Sequence, residues 1–185
     1  MKLINAATLA AALAALTLTA SGLATIALVN PSNPVGDYLG LAEVHERRAT
    51  ALLVNPQPSF DQLDRAAFET HRSLALAPAN PRPWLRLAYI ESRRSGQLTQ
   101  TGLEHLERSY VLAPYGPDDS PWRLSFMFEH WDRLTPELRQ FALRELALQR
   151  REAGQHILTQ VTNPQGRLAL AVMLEAPDHP GTTGD

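Results

Sequence analysis

The sequence contains no cysteine. That removes disulfides, thiolate metal sites, iron–sulfur clusters, attached c-type haem and cysteine nucleophiles from consideration. It is also almost without lysine: of 17 basic residues, all but Lys2 are arginine. Charged residues make up 19% of the chain and the formal net charge is −2. There is therefore no polybasic surface for nucleic acid and no acidic tail. Aromatic residues are scarce at 6%, so each one carries weight in the core and at the surface. No strand-like alternation of apolar and polar residues is present anywhere, which leaves an all-α chain.

The first feature that is present is a long uncharged run, Leu3 to Val29. It exceeds the roughly 20 residues needed to cross a bilayer. "NPSNP" at Asn30–Pro34 stops it, because proline lacks an N–H donor and restricts the residue before it. Lys2 precedes the run, and the next positive charge is Arg47. That asymmetry predicts a cytoplasmic N-terminus, with the rest of the chain on the far side of a bacterial inner membrane, in the periplasm. A signal peptide cleaved after Ala20 or Ala24 is the rival reading, and its usual apolar core is shorter than this run. Ala6, Ala10 and Ala14 form a small-residue face that another membrane helix could approach closely.

Residues 1–30 are thus assigned as an anchor or uncleaved signal, and 31–36 as a linker. Helical periodicity then predicts Val35–Asn55 with Asp37 as N-cap, followed by Asp61–Ala77 with Asp61 as cap. Pro81–Gly96 opens with proline and ends in a glycine cap. Leu98–Pro114 carries Thr101 and Glu104 at capping-box spacing. Pro121–Leu134 follows, then a helix capped by Thr135 and closed by Gly154. Residues 155–162 remain open, Gln165–Glu175 reads as a final helix, and 177–185 as a disordered tail. The region 155–176 is expected to cap the preceding module.

One phrase occurs twice. "RSLALAPANPRPW" from Arg72 returns as "RSYVLAPYGPDDSPW" from Arg108. The period of 36 residues is the signature of stacked helical hairpins. Trp84, Leu87 and Ala88 match the pattern W-x-x-L-G/A. Gly102, Leu106, Ser109 and Pro114 match small–x3–large apolar–x2–small–x4–Pro. On these residues the stretch 37–154 resembles the tetratricopeptide repeat family, with weaker units starting before Ala66 and at Trp122. The resemblance implies a membrane helix followed by antiparallel hairpins stacked as a short solenoid. It also implies that the tryptophans are buried between helices.

Sites for chemistry are hard to find. The six histidines form no HExxH or other close metal-binding pair. His130 and Asp132 are two apart and do not share a helix face. Asp118–Asp119 reads as a solvated turn, and no phosphate loop or G-x-S-x-G elbow occurs. No catalytic residue, metal site or cofactor is assigned. The resemblance instead places partners in a groove lined by first helices. The matching positions are Arg82, Leu85, Tyr89, Ser92 and Arg93, then Arg123, Met127, His130 and Trp131. The expectation is a non-catalytic adaptor for an extended peptide or a membrane-complex subunit, in the service of envelope polysaccharide assembly or export. The alternative is an accessory subunit held in a larger complex through its membrane helix.

Overall fold

The structure is a computed structural model describing residues 6–116, 118–149 and 151–175. Among these residues it is all-helical, with ten α-helices, one 3-10 turn and no strand. The chain divides into two compact units, 1–78 and 79–185.

The first unit begins with α1, Ala6–Val29. Its stretch Ala12–Val29 has mean hydropathy 2.0 and is long and apolar enough to cross a membrane, a property it shares with signal sequences. The helix has no polar face, and three of its threonine hydroxyls are satisfied internally. Thr17 donates to the carbonyls of Leu13 and Ala14, Thr19 to those of Ala15 and Leu16, and Thr25 to that of Ser21. Such back-bonding removes the cost of carrying Thr into hydrocarbon. Near its C-terminal end, Ala27 is fully buried.

The expected single helix over 35–55 is two helices, α2 (Val35–Tyr38) and α3 (Ala42–Leu52), broken at Gly40 with φ +60°. Gly36 permits the close approach of α2 to α3, since a Cβ there would lie 2.6 Å from Val44. Asp37 caps nothing. Its carboxylate instead accepts from Arg48 at 2.7 and 3.1 Å. That hydrogen bond holds the Asp37 carboxyl below its ordinary pKa and raises the guanidinium's. Arg48 also donates to the carbonyls of Pro31 and Asn33, so one side chain fastens the segment after α1 to α3.

Helix α4, Phe60–Leu76, packs antiparallel on α3, because early α3 residues meet late α4 residues. His45 Nδ1 lies 2.6 Å from Glu69, and Ser73 donates to Glu46 at 2.7 Å. The cap of α4 is Ser59, not Asp61. Ser59 and Gln62 bond reciprocally at 3.2 and 2.9 Å, a complete capping box that Asp61 cannot match.

The second unit contains α5 (Pro81–Ser95), α6 (Gln100–Leu112), α7 (Ser120–Glu129), the 3-10 turn Trp131–Arg133, α8 (Pro136–Ala147), α9 (Arg151–Gln160) and α10 (Pro164–Glu175). Gly96 caps α5 in the left-handed region, and Thr135 caps α8, both as expected. The cap of α6 is Thr99 rather than Thr101. Thr99 accepts from Gly102 N at 3.3 Å and sits next to the buried Leu98. Residues 121–134 do not form one helix, since α7 ends at Glu129 and the chain tightens into the 3-10 turn.

Gly154 does not close α8 but lies inside α9. There it is buried against Leu174, so the glycine marks a helix crossing. The region expected as a single C-terminal helix is accordingly two helices, α9 and α10. The expected tail at 177–185 lies outside the described residues.

The doubled phrase is a helix stop written twice. Ala77 N and Ala113 N bond back to Ser73 O and Ser109 O, at 2.8 and 3.0 Å. Both alanines then leave the helix region, as a following proline demands. Ala66 and Gly102, Thr70 and Leu106, and Ser73 and Ser109 are buried pairs 36 residues apart.

Candidate functional site

The interior of the second unit is organised around an ion pair. Arg123 on α7 and Glu145 on α8 have side chains only 1% and 0% exposed. Arg123 Nε donates to both Glu145 oxygens at 3.2 and 3.0 Å, and Nη2 donates to Oε1. Its Nη1 donates to Ser109 Oγ at 3.3 Å and to Ala113 O at 2.9 Å. The Tyr110 and Ser120 hydroxyls also donate to Glu145. The guanidinium lies 4.0 Å from the centre of the Tyr110 ring. Burial pushes the Tyr110 phenol well above its ordinary pKa, and the Glu145 charge adds to this. This cluster joins the ends of α6, α7 and α8. It is closed to solvent, so its role is structural.

The outward side of α5 and α7 differs. Trp122, Phe126 and His130 recur every fourth residue, which places them along one face of α7 and its C-cap. The rings of Trp122 and Phe126 stack at 5.4 Å with 5° between planes. His130 meets Phe126 edge-on at 4.7 Å. Tyr89 of α5 stands edge-on to Trp122 at 5.7 Å and to Phe126 at 6.3 Å. Trp122 is 45% exposed, and a flat indole left this open invites a contact that strips its water. At one end, Arg82 Nε donates to Asp119 Oδ1 at 2.7 Å, linking the start of α5 to the start of α7. Arg93, one turn beyond Tyr89, is exposed.

The sequence-derived groove set is therefore divided. Arg82, Tyr89 and Arg93 lie on the exposed side of α5 or partly so, and half-buried His130 joins the ladder. Leu85, Arg123 and Met127 belong to the interior. Arg123 is held by Glu145, and Met127 Sδ lies 3.1 Å from the Tyr110 hydroxyl oxygen. Ser92 and Trp131 are also buried, with Trp131 stacked on Phe128 at 4.9 Å. On α7 the exposed aromatic is Trp122, one residue before the expected Arg123, while Phe126, stacked against it, is buried with the core at 8% exposure. The signal was present as aromatics at 122, 126 and 130. The resemblance obscured it by assigning Trp122 a buried wedge position. Trp84 is partly buried, its ring 5.6 Å from His105 of α6.

Burial lowers the His130 pKa, and neighbouring Glu129 and Asp132 only partly offset this. A histidine whose folded pKa is depressed contributes stability above its unfolded pKa of about 6.5 and loses it as pH falls through the lower folded value. His130→Phe keeps the ring packing and removes the titration. It is expected to flatten the loss of stability between about pH 7 and pH 5. Denaturation midpoints of both proteins at the two pH values check this; parallel losses would contradict it.

Comparison with family models, with curated proteins and with solved structures gave no match.

Proposed function

We propose that this chain is a non-catalytic interaction adaptor. Helix α1 anchors it once in a bacterial inner membrane with the N-terminus cytoplasmic, and the tetratricopeptide-like hairpins stand in the periplasm. The single observation carrying the reading is Trp122, 45% exposed against half-buried Tyr89 and His130 and buried Phe126, and flanked by Arg82 and Arg93. Flat aromatics with arginine at the margins are the residue types that dominate binding energy at protein interfaces. An extended peptide fits, because the exposed indole with half-buried Tyr89 and His130 beside it makes a narrow aromatic strip. Tethering raises the effective concentration of membrane partners. Burial of Ala27 and the Arg48 clamp on Pro31 and Asn33 support a retained anchor over a cleaved signal. Envelope polysaccharide assembly or export is the process we assign, and the family resemblance alone supports it.

The test is site-specific photocrosslinking in membranes from a probe at position 122, with position 111 on exposed α6 as control. Partner crosslinks are expected at 122 and not at 111. Trp122→Ala is expected to weaken partner capture by roughly 30-fold, the scale of an interface hot spot. Equal crosslinking at both positions would reject the ladder as the contact. An anchor swap separates the accessory-subunit alternative, which alone predicts that the partner is lost with α1.

A further inference from the structure

One end of the first unit carries exposed apolar side chains close to α1. Val54, Phe60 and Phe68 are 75%, 71% and 61% exposed. Val54 and Phe60 border the turn between α3 and α4, and Phe68 follows two turns into α4. The turn falls in a stretch without a charged residue, Ala49 to Phe60. Apolar residues scattered singly on a surface are ordinary, whereas an uncharged turn bearing several marks a contact.

The path of the chain fixes which end of the unit this is. Helix α1 packs on α2 and α3, and Ala27, two residues before its end, is fully buried. The unit therefore begins within the last turn of α1, with no spacer between them. Pro31 O then accepts from Arg48, and Gly36 lies against Val44. The chain thus runs from α1 toward the start of α3, and the Leu52 end of α3 is the end nearer α1. A cavity of about 740 Å³ shows the same proximity, since Pro31 and Ser32 line it together with Ala51, Leu52 and Phe68. Pro31 and Ser32 are the second and third residues beyond α1, a reach of at most about 7–10 Å. A headgroup layer is about 5–8 Å deep on each side of the hydrocarbon. With α1 in a bilayer, this end of the unit meets the headgroups.

The charges around the cavity are answered within the protein. Arg48 binds Asp37, Arg65 lies 3.8 Å from Asp61, and Glu69 lies 2.6 Å from His45. Asp64 is engaged as well. What is left without a partner at this end is apolar surface.

We propose that the α3–α4 turn is a second membrane contact, with Val54, Phe60 and Phe68 entering the leaflet interface beside the end of α1. The occupant is the lipid surface itself. No headgroup is selected, because none of the three residues carries a charge. An apolar face of this kind reaches about 5–10 Å into the boundary between headgroups and acyl chains. Irregular backbone is tolerated at that depth, where water still reaches its polar groups. The contact goes beyond the adaptor reading and rests on it only for the membrane placement of α1.

The chain has no cysteine, so one introduced cysteine carries a label without background. The full chain is reconstituted at low density in phosphatidylcholine vesicles, with the environment-sensitive fluorophore NBD at position 20, 54, 60, 68 or 76 in turn. Position 20 reports α1. Leu76 is 46% exposed and close to Gly40, so it reports the end of α4 away from α1. Labels at 54, 60 and 68 are expected to shift to the blue and to be quenched by doxyl-labelled phospholipid, and the label at 76 to do neither. Phe60→Ser with Phe68→Ser, both at exposed positions, is expected to return the label at 54 to water. Arg47→Ala, on an exposed arginine paired with Glu43, is expected to leave it in lipid. Water-like labels at 54, 60 and 68 with position 20 quenched would overturn this contact alone. A water-like label at position 20 would overturn the anchor reading and the contact together. A blue shift at the turn without lipid quenching would assign it to a second copy of the chain, and quenching at 76 as strong as at 60 would show that the turn is no special contact; either result overturns the proposal.

Discussion

Glu145→Ala is expected to destabilise the 79–185 unit by about 3–5 kcal/mol, the cost of leaving one partner of a buried ion pair uncompensated. The magnitude follows from how completely the group is used. Its two oxygens accept from Arg123, Tyr110 and Ser120, and none of these donors has water to turn to. Removing the carboxylate strands a guanidinium at 1% exposure, which must stay charged because its pKa is beyond reach. Arg123→Met with Glu145→Leu removes both charges and is expected to recover part of the loss. Recovery is incomplete because the hydroxyls of Ser109, Tyr110 and Ser120 and the carbonyl of Ala113 still need partners. Intrinsic fluorescence reads this unit alone, since Trp84, Trp122 and Trp131 all lie in it. A loss below about 1 kcal/mol for Glu145→Ala would show that the pair is dispensable.

The same pair marks the limit of what the sequence discloses. Helix stops were legible where one residue type decides them, Pro78 and Pro114 after a buried serine and Gly96 in the left-handed region, and so was the start of α8 at Thr135 ahead of Pro136. Starts were harder where two candidates stood close together. Ser59 displaced Asp61 through its reciprocal bond with Gln62, and Thr99 displaced Thr101 with Leu98 seated in the core. Each shift is two residues, and each turns on a partner that periodicity cannot weigh. Asp37 and Arg123 failed for a different reason. A charged residue on a helix reads as solvated unless its partner is known, and those partners are 11 and 22 residues away. The candidate face was half legible. Arg82, Tyr89, Arg93 and His130 came from the repeat resemblance, and the structure leaves them exposed or half-buried. Trp122 did not, because the same resemblance placed it among the buried tryptophans, whereas it is 45% exposed.

Glycines on the last two helices give the other large effect, and they separate two kinds of close contact. A Cβ at Gly166 would lie 1.9 Å from the Phe128 carbonyl oxygen and 2.8 Å from its carbon. Backbone cannot turn aside, so α10 must retreat from α7. That retreat pulls on the start of α10, where Gly166 N bonds to Asn163 Oδ1 at 3.0 Å. It also pulls on the Glu129 carboxylate, which receives Thr162 N at 2.6 Å and Asn163 N at 3.3 Å. Burial alone would raise the Glu129 pKa, but these bonds outweigh it and hold the carboxyl below its ordinary value. At Gly154 the atom in the way is the end of the Leu174 side chain, at 2.6 Å, which can rotate. Alanine in a helix interior gains about 1 kcal/mol over glycine. Gly154→Ala is therefore expected near neutral, the propensity gain offsetting a small repacking. Gly166→Ala is expected to cost about 3 kcal/mol, the upper end for overpacking, since propensity cannot repay a moved helix. Denaturation midpoints for the two variants decide the matter: if they fall together, α10 does not rest on the backbone of α7 at Gly166.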